Sequence, residues 1–196
     1  MNAWTQPVTL TGEHVTLRPL DRSDSPALVE IASSEGLWDI FYANVSQLKH
    51  PDRWFDQAFQ QQDYGRALLF AVCDPAGKVI GTTRFIRMHQ GHRRVELGGT
   101  FYAKAVQRTG VNTEAKLLLL THAFDVLGCH NVQIRTDFLN KRSQAAIERL
   151  GAKRDGILRA HQIVDGRSRD TVVYSILDRE WPGVRQNLQY LLAKHA

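Results

Sequence analysis

Gln107-Arg108-Thr109-Gly110-Val111-Asn112-Thr113 is the stretch that decides how this 196-residue chain folds. It follows a predicted strand, Arg94 to Tyr102, and opens a helix predicted to run to about Leu127. The first N–H groups of a helix have no intrahelical partner, and they point outward along the positive end of its dipole. A short strand-to-helix loop with a glycine therefore predicts a phosphate pocket, in which Gly110 lets the backbone come close to an anion.

Working outward, apolar and polar residues alternate from His14 to Leu20, predicting the first strand, and Asp21 or Ser23 caps a helix through Pro26, Leu28 and Ile31. A second helix is expected from about Pro51 to Gln62. Ala67 to Cys73 and Lys78 to Arg87 read as strands joined by the turn Asp74-Pro75-Ala76-Gly77. The helix after the loop carries Leu117, Leu120, Phe124 and Leu127 on one stripe, with Gly128 placed for a left-handed cap. A strand, Asn131 to Asp137, leads through Asn140-Lys141-Arg142-Ser143 into a helix ending near Leu150-Gly151. Ile157 to Val164 and Arg167 to Ile176 flank the turn Asp165-Gly166, and a last helix spans Pro182 to Lys194. A helix joining two adjacent strands predicts a parallel crossover inside an otherwise antiparallel sheet.

The pattern Gln-x-x-Gly-x-Asn resembles the pyrophosphate loop of the GNAT superfamily of N-acetyltransferases. Three more features strengthen the likeness: Glu96 eleven positions before Gln107, Asn140-x-x-Ser143 followed by Leu150-Gly151-Ala152, and the closing hairpin around Asp165-Gly166. From Leu10 to Asp178 the chain is similar to the RimJ/RimL-type branch. The resemblance implies an α+β fold in one domain over residues 1–196: a twisted, mostly antiparallel sheet of about seven strands, flanked by helices. One parallel pair, Arg94–Tyr102 with Asn131–Asp137, would splay apart to admit the pantetheine arm of acetyl-CoA.

It also implies roles. The loop Gln107, Arg108, Thr109, Gly110, Val111, Asn112 and Thr113 would hold the diphosphate, the backbone of Thr100, Phe101 and Tyr102 the thioester carbonyl, and Asn140 the pantetheine amides. Glu96 is the expected general base, since a carboxylate in a half-buried strand is pushed toward a useful pKa. The structural alternative pairs Glu96 with Arg94 or another basic neighbour. The tyrosine that many GNAT enzymes use to protonate the thiolate is absent, because Ile147 stands seven after Asn140. Ser143 matches the donor proposed for this branch; Asn140 as a helix cap and Ser143 as an ordinary first-turn residue remain alternatives.

Where the branch often has a glutamate in the penultimate strand, this chain has Gln162, which cannot act as a base. Counting from Asp165-Gly166 puts His161 opposite Asp170, a pairing that would hold the imidazole more basic or merely stabilise the sheet. Trp38, Phe41 and Tyr42 are expected at the acceptor site together with His161, although aromatic residues also build cores. Arg84, Arg87 and Arg135 have the chemistry to meet an acceptor carboxylate or phosphate, but nothing in the sequence separates them from surface arginines.

Apolar residues make up 43% and charged residues 23%, as in ordinary globular domains. No run is long enough to span a membrane, and the start lacks a basic region followed by an apolar one, so a cytoplasmic protein is expected. The formal charge of +5 suits an acidic partner, and acetyl-CoA would suffice. No nucleic acid partner is expected, since basic and aromatic residues do not interleave. Cys73 and Cys129 read as reduced thiols, and His89-x-x-His92 as a polar turn, so no metal is expected. The reading is an acetyl-CoA-dependent N-acetyltransferase acting by direct attack on the amine of a peptide N-terminus or a small molecule, with a homodimer as a further expectation. Its alternative is a catalytically weak, CoA-binding regulatory module.

Overall fold

A computed structural model of the chain describes residues 2–34, 36–42 and 44–194. Its eight strands form one sheet in the order β1 (Leu10–Thr11), β2 (Thr16–Pro19), β3 (Leu68–Cys73), β4 (Val79–His89), β5 (Arg94–Tyr102), β6 (Asn131–Asp137), β8 (Arg167–Leu177), β7 (Lys153–Val164). Neighbours run antiparallel, except that β5 and β6 are parallel. Seven strands were expected. The eighth, β1, is two residues long, too short for any alternation to register.

Alternation sorts the side chains onto two faces. One face (Leu17, Phe70, Phe85, Val95, Val132, Tyr174) packs under α3 (Val111–Thr121), α4 (Lys141–Arg149) and α5 (Trp181–Leu192). The other (Leu69, Ala71, Cys73) packs under α1 (Ser25–Ser34) and α2 (Pro51–Asp63). Phe55 of α2 and Leu119 of α3 are almost fully buried, each contributing roughly 1.5–3 kcal/mol of transfer free energy. The sheet is thus covered on both sides, and a ligand must enter along its edges or through it.

Two boundaries differ from expectation. The helix after the loop keeps α-geometry only to Thr121 and widens over His122–Val126, where Leu127 N–H donates to the His122 carbonyl (2.9 Å). Such π-turns interrupt the helical period without removing the apolar stripe, and Gly128 (φ +62°) then closes the end as its sequence position predicts. The penultimate strand starts at Lys153 rather than Ile157, carried past Asp155 and Gly156 by a bulge in which the Ser175 hydroxyl donates to Asp155 (2.8 Å). No helix among the described residues is long and apolar enough to cross a membrane.

Candidate active site

β5 and β6 pair from Arg94↔Asn131 to Leu97↔Ile134 and then part. Beyond that rung, the rest of β5 bonds to β4, and Arg135, Thr136 and Asp137 pair with β8. The main-chain groups of Gly98–Tyr102 that point toward β6 have no strand to meet, which leaves a wedge through the sheet lined by backbone polar atoms. A glycine bulge sharpens the divergence: between Thr82↔Phe101 and Arg84↔Gly98, β5 holds one residue more than β4, and Gly99 sits at φ +57°. Of the residues expected there, Phe101 packs toward the α2 side and Tyr102 is buried on the α3 side, so their backbones, not their rings, face the wedge.

The loop opens beside the mouth of that wedge. Its left-handed residue is Arg108 (φ +65°), while Gly110 has ordinary helical angles as the residue preceding α3. Gly110 leaves room instead, since a Cβ there would come 3.1 Å from the His14 ring and the ring would have to give way by a few tenths of an ångström. Thr109 takes the capping role: its hydroxyl donates to the Val106 carbonyl (2.7 Å) and accepts from Val111 N–H (3.3 Å). Together with His14 and Pro75, Arg108–Val111 line a crevice of about 490 Å³. Gln107 braces the loop, donating to the Tyr102 carbonyl (3.0 Å) and accepting from Arg142 of α4 (2.5 Å). Asn112 is partly exposed in the first turn. Thr113 is fully buried, with its hydroxyl 3.5 Å from Arg149, and so offers the crevice only backbone.

One anchor of this loop went unread in the sequence. The buried carboxylate of Glu114 accepts from the N–H groups of Glu13, His14 and Val15 at 2.8, 2.7 and 2.9 Å. It ties the first turn of α3 to the β1–β2 hairpin about 100 residues away in sequence, a contact no local pattern announces.

Glu96 is buried rather than half-buried, at 4% exposure, one residue before the strands part. Its partners are Arg87, whose Nη1 lies 2.8 Å from both carboxylate oxygens, and Arg135, whose Nε lies 3.1 Å from Oε2; Arg94 is not among them. Arg87 reaches it because β4 carries an extra residue between Ile86 and His89, with Arg87 held at φ +48°. A bulge of this kind re-aims a side chain, and the strain is tolerated where neighbouring structure over-determines it.

The His161–Asp170 pairing does not form. Val164 does face Arg167, but two extra residues in β7 intervene before Leu158↔Thr171. Asp170 instead accepts from the N–H of Ala160 (2.7 Å), itself at φ +47°, and His161 Nδ1 lies 3.0 Å from the Thr171 hydroxyl. Partial burial, reinforced by Arg135, Arg87 and Arg169, lowers the His161 pKa, the reverse of a histidine made basic by an aspartate.

Asn140 caps α4, its Oδ1 accepting from Ser143 N–H (2.9 Å), while the Ser143 hydroxyl has no partner among the described residues. Just before it, buried Asp137 meets Arg167 (2.5 Å) and Arg169 (3.4 Å), an anchor the sequence did not single out. Burial pushes the Cys129 thiol up to about 12 and raises that of Cys73, so neither has the thiolate character of a nucleophile. His89 and His92 stack at 4.0 Å, with His89 Nδ1 accepting from His92 N–H, as the polar turn predicts.

On the α2 side of the sheet lies a second cavity of about 540 Å³, floored by Trp54 and bordered by Arg84 and Arg87. Trp38, Phe41 and Tyr42 are not among its lining residues. Trp38 packs against the α1–α2 core, and Phe41, 59% exposed, lies under the Arg167 guanidinium (5.4 Å) and edge-on to Tyr42 (5.1 Å).

The sheet is thus parted along its parallel pair, with a helix N-terminus at the mouth and a buried carboxylate at the apex. The family profile described as acetyltransferase (GNAT) domain matches residues 14–153. YdaF of Bacillus subtilis (strain 168), provisionally named a ribosomal N-acetyltransferase, is 31% identical over 181 residues, spanning 87% of this chain and 95% of its own. The crystal structure of a GCN5-related N-acetyltransferase from Brucella melitensis superposes with a TM-score of 0.84 at 31% identity, covering 95% of this chain and 86% of that one. Mycobacterium smegmatis RimJ, solved with CoA-disulfide, shares the fold at 20% identity, with a TM-score of 0.78 and 96% of each chain covered. The chain belongs to the GNAT family, similar to its RimJ/RimL branch, and is an acetyl-CoA-dependent acetyltransferase.

Proposed function

We propose that this enzyme acetylates a primary amine, either a peptide N-terminus or a small molecule, by direct attack on the thioester. The observation that carries the reading is the position of Glu96: a carboxylate buried at the apex of the wedge, one rung before the backbone groups of Gly98–Tyr102 lose their strand partner. The crevice at Arg108–Val111 fits a diphosphate, offering helix N–H groups, a cation and no bulky side chain at Gly110.

Acetyl-CoA supplies the acetyl group as a thioester. Glu96 takes the proton of the incoming amine, directly or through a water, using the carboxylate lone pairs that Arg87 and Arg135 leave free. Backbone N–H groups of Thr100–Tyr102 polarise the carbonyl oxygen without any side chain having to reorganise. The Ser143 hydroxyl, unengaged at the start of α4, donates to the departing thiolate. With both cysteines buried as neutral thiols, no enzyme nucleophile intervenes.

Free-thiol release from acetyl-CoA over a panel of amines and peptides tests this reading. Turnover with at least one amine, greatly reduced in Glu96→Gln, is the expected result. A regulatory CoA-binding module is the second reading, favoured by the two guanidinium partners that occupy Glu96. Tight acetyl-CoA binding without turnover on any acceptor would decide for it.

A further inference from the structure

The cavity on the α2 side is cationic to a degree that the transfer chemistry does not require. Among the described residues, Arg66, Arg84, Arg87 and Arg94 line it together with His89, and no aspartate or glutamate does. Among the described residues, only Arg87 of these four has a carboxylate partner, Glu96. The cavity and the base are therefore joined through one side chain.

Arg84 is the most constrained of the set. Its guanidinium lies over the Trp54 ring at 5.2 Å, and its buried Nε has no hydrogen-bond partner. The backbone makes room for it, because a Cβ on left-handed Gly99 would collide with the guanidinium. Burial and the neighbouring Arg87 charge lower its pKa, which means the charged form is held at a cost that an arriving anion would relieve. A buried guanidinium with unused donors is a fork for a carboxylate or phosphate.

We propose that the amine acceptor carries an anionic group, carboxylate or phosphate, which seats on Arg84 with Arg66 and Arg94 while the amine reaches Glu96. This deepens the acetyltransferase reading and rests on it. Attraction between the cavity and its ligand fixes which amine is presented to the base, so it acts on binding rather than on the chemical step.

Two measurements keep failure of the inference separate from failure of the activity. The first is calorimetric titration of the acetyl-CoA-bound enzyme with glutarate and with inorganic phosphate, anions that have no amine to acetylate. Binding is expected for at least one, weakened about 10- to 100-fold in Arg84→Gln and unchanged in Arg179→Gln, an exposed control ahead of α5. The second compares matched amines by thiol release: phosphoethanolamine with ethanolamine, β-alanine with propylamine, and a peptide beginning Ser-Asp-Glu with one beginning Ser-Asn-Gln. The anionic member of a pair should be preferred at least tenfold in kcat/KM, and Arg84→Gln should raise its KM while leaving acetyl-CoA affinity intact. Preference in the first pair identifies phosphate, in the other two carboxylate. Equal use of every pair, or anion binding that Arg84→Gln leaves unchanged, overturns the proposal even if the enzyme is active. If turnover is absent with every amine, the titration alone decides.

Discussion

A single nitrogen of Arg87, Nη1, lies 2.8 Å from both carboxylate oxygens of Glu96, and it comes from the residue that bulges out of the neighbouring strand. The proposed base and its nearest cation are thus fixed by a backbone irregularity, while 47% exposure of the Arg87 side chain leaves it able to withdraw. Glu96→Gln preserves the shape of this pair and removes the basicity. The expected outcome is a fall in kcat of about 100-fold or more, with acetyl-CoA affinity unchanged by calorimetry. Activity within a few-fold of the parent enzyme would show that Glu96 is not the base.

At the crevice the Thr109 hydroxyl accepts from the first N–H of α3 and donates to the Val106 carbonyl. Thr109→Asp keeps an acceptor for that N–H, gives up the donation to Val106, and places a negative charge where a diphosphate is proposed to sit. Acetyl-CoA should bind about tenfold more weakly or worse in calorimetry. Undiminished affinity would remove this loop from the binding site.

Lys116 is buried on α3 with, among the described residues, only the Thr100 hydroxyl bonded to its ammonium (3.1 Å), and burial lowers its pKa from 10.5 to about 8. Below pH 8 both folded and unfolded chains hold the proton, and the folded one bears the full cost of a buried charge. Between pH 8 and 10.5 only the unfolded chain keeps it, so stability from this group rises with pH, by about 3 kcal/mol across the interval. Lys116→Met should stabilise the protein at pH 7 in urea titrations, and its advantage should shrink by pH 10. A constant difference between variant and parent would mean the amine is not desolvated.

Gly99→Ala introduces a Cβ at φ +57° and against Arg84. A loss of about 1–3 kcal/mol of stability is expected from the strain alone. The collision must also displace Arg84, so selectivity for anionic acceptors should fall further than in Gly98→Ala, where the Cβ meets the end of Ile86 at 3.0 Å and Glu96 Oε1 only at an ordinary 3.7 Å. Equal effects of the two substitutions would deny Gly99 its spacing role.

Asp137 is 1% exposed between Arg167 and Arg169. Asp137→Asn leaves both guanidiniums without their counter-charge and should cost about 3–5 kcal/mol, read as a lower urea midpoint.

Alternation and helical period belong to the chain itself, so seven of the eight strands, the main helices, the crossover from β5 through α3 to β6 and the Gly128 cap were legible residue by residue, while two-residue β1 was not. The loop at Gln107–Thr113 was legible too, because it is a local strand-to-helix junction. Bulges are where the sequence ran out. An extra residue at Arg87, at Gly99 or around Ala160 leaves the hydrophobic pattern readable but shifts every pairing beyond it. Counting back from Asp165-Gly166 therefore gave His161 the wrong partner, and nothing local could show that Arg87 and Arg135 converge on Glu96. The Glu114 carboxylate and the Arg84 cavity were hidden for the same reason.

What the sequence determined alone is the order of elements, through periodicity and spacing, and, through the resemblance of its motifs, a family and a short set of chemically apt residues. Only the tertiary structure decided which cations hold Glu96 and which, among the described residues, line a cavity without a carboxylate partner. Electrostatic partnership depends on distance through space, and three displaced registers set those distances.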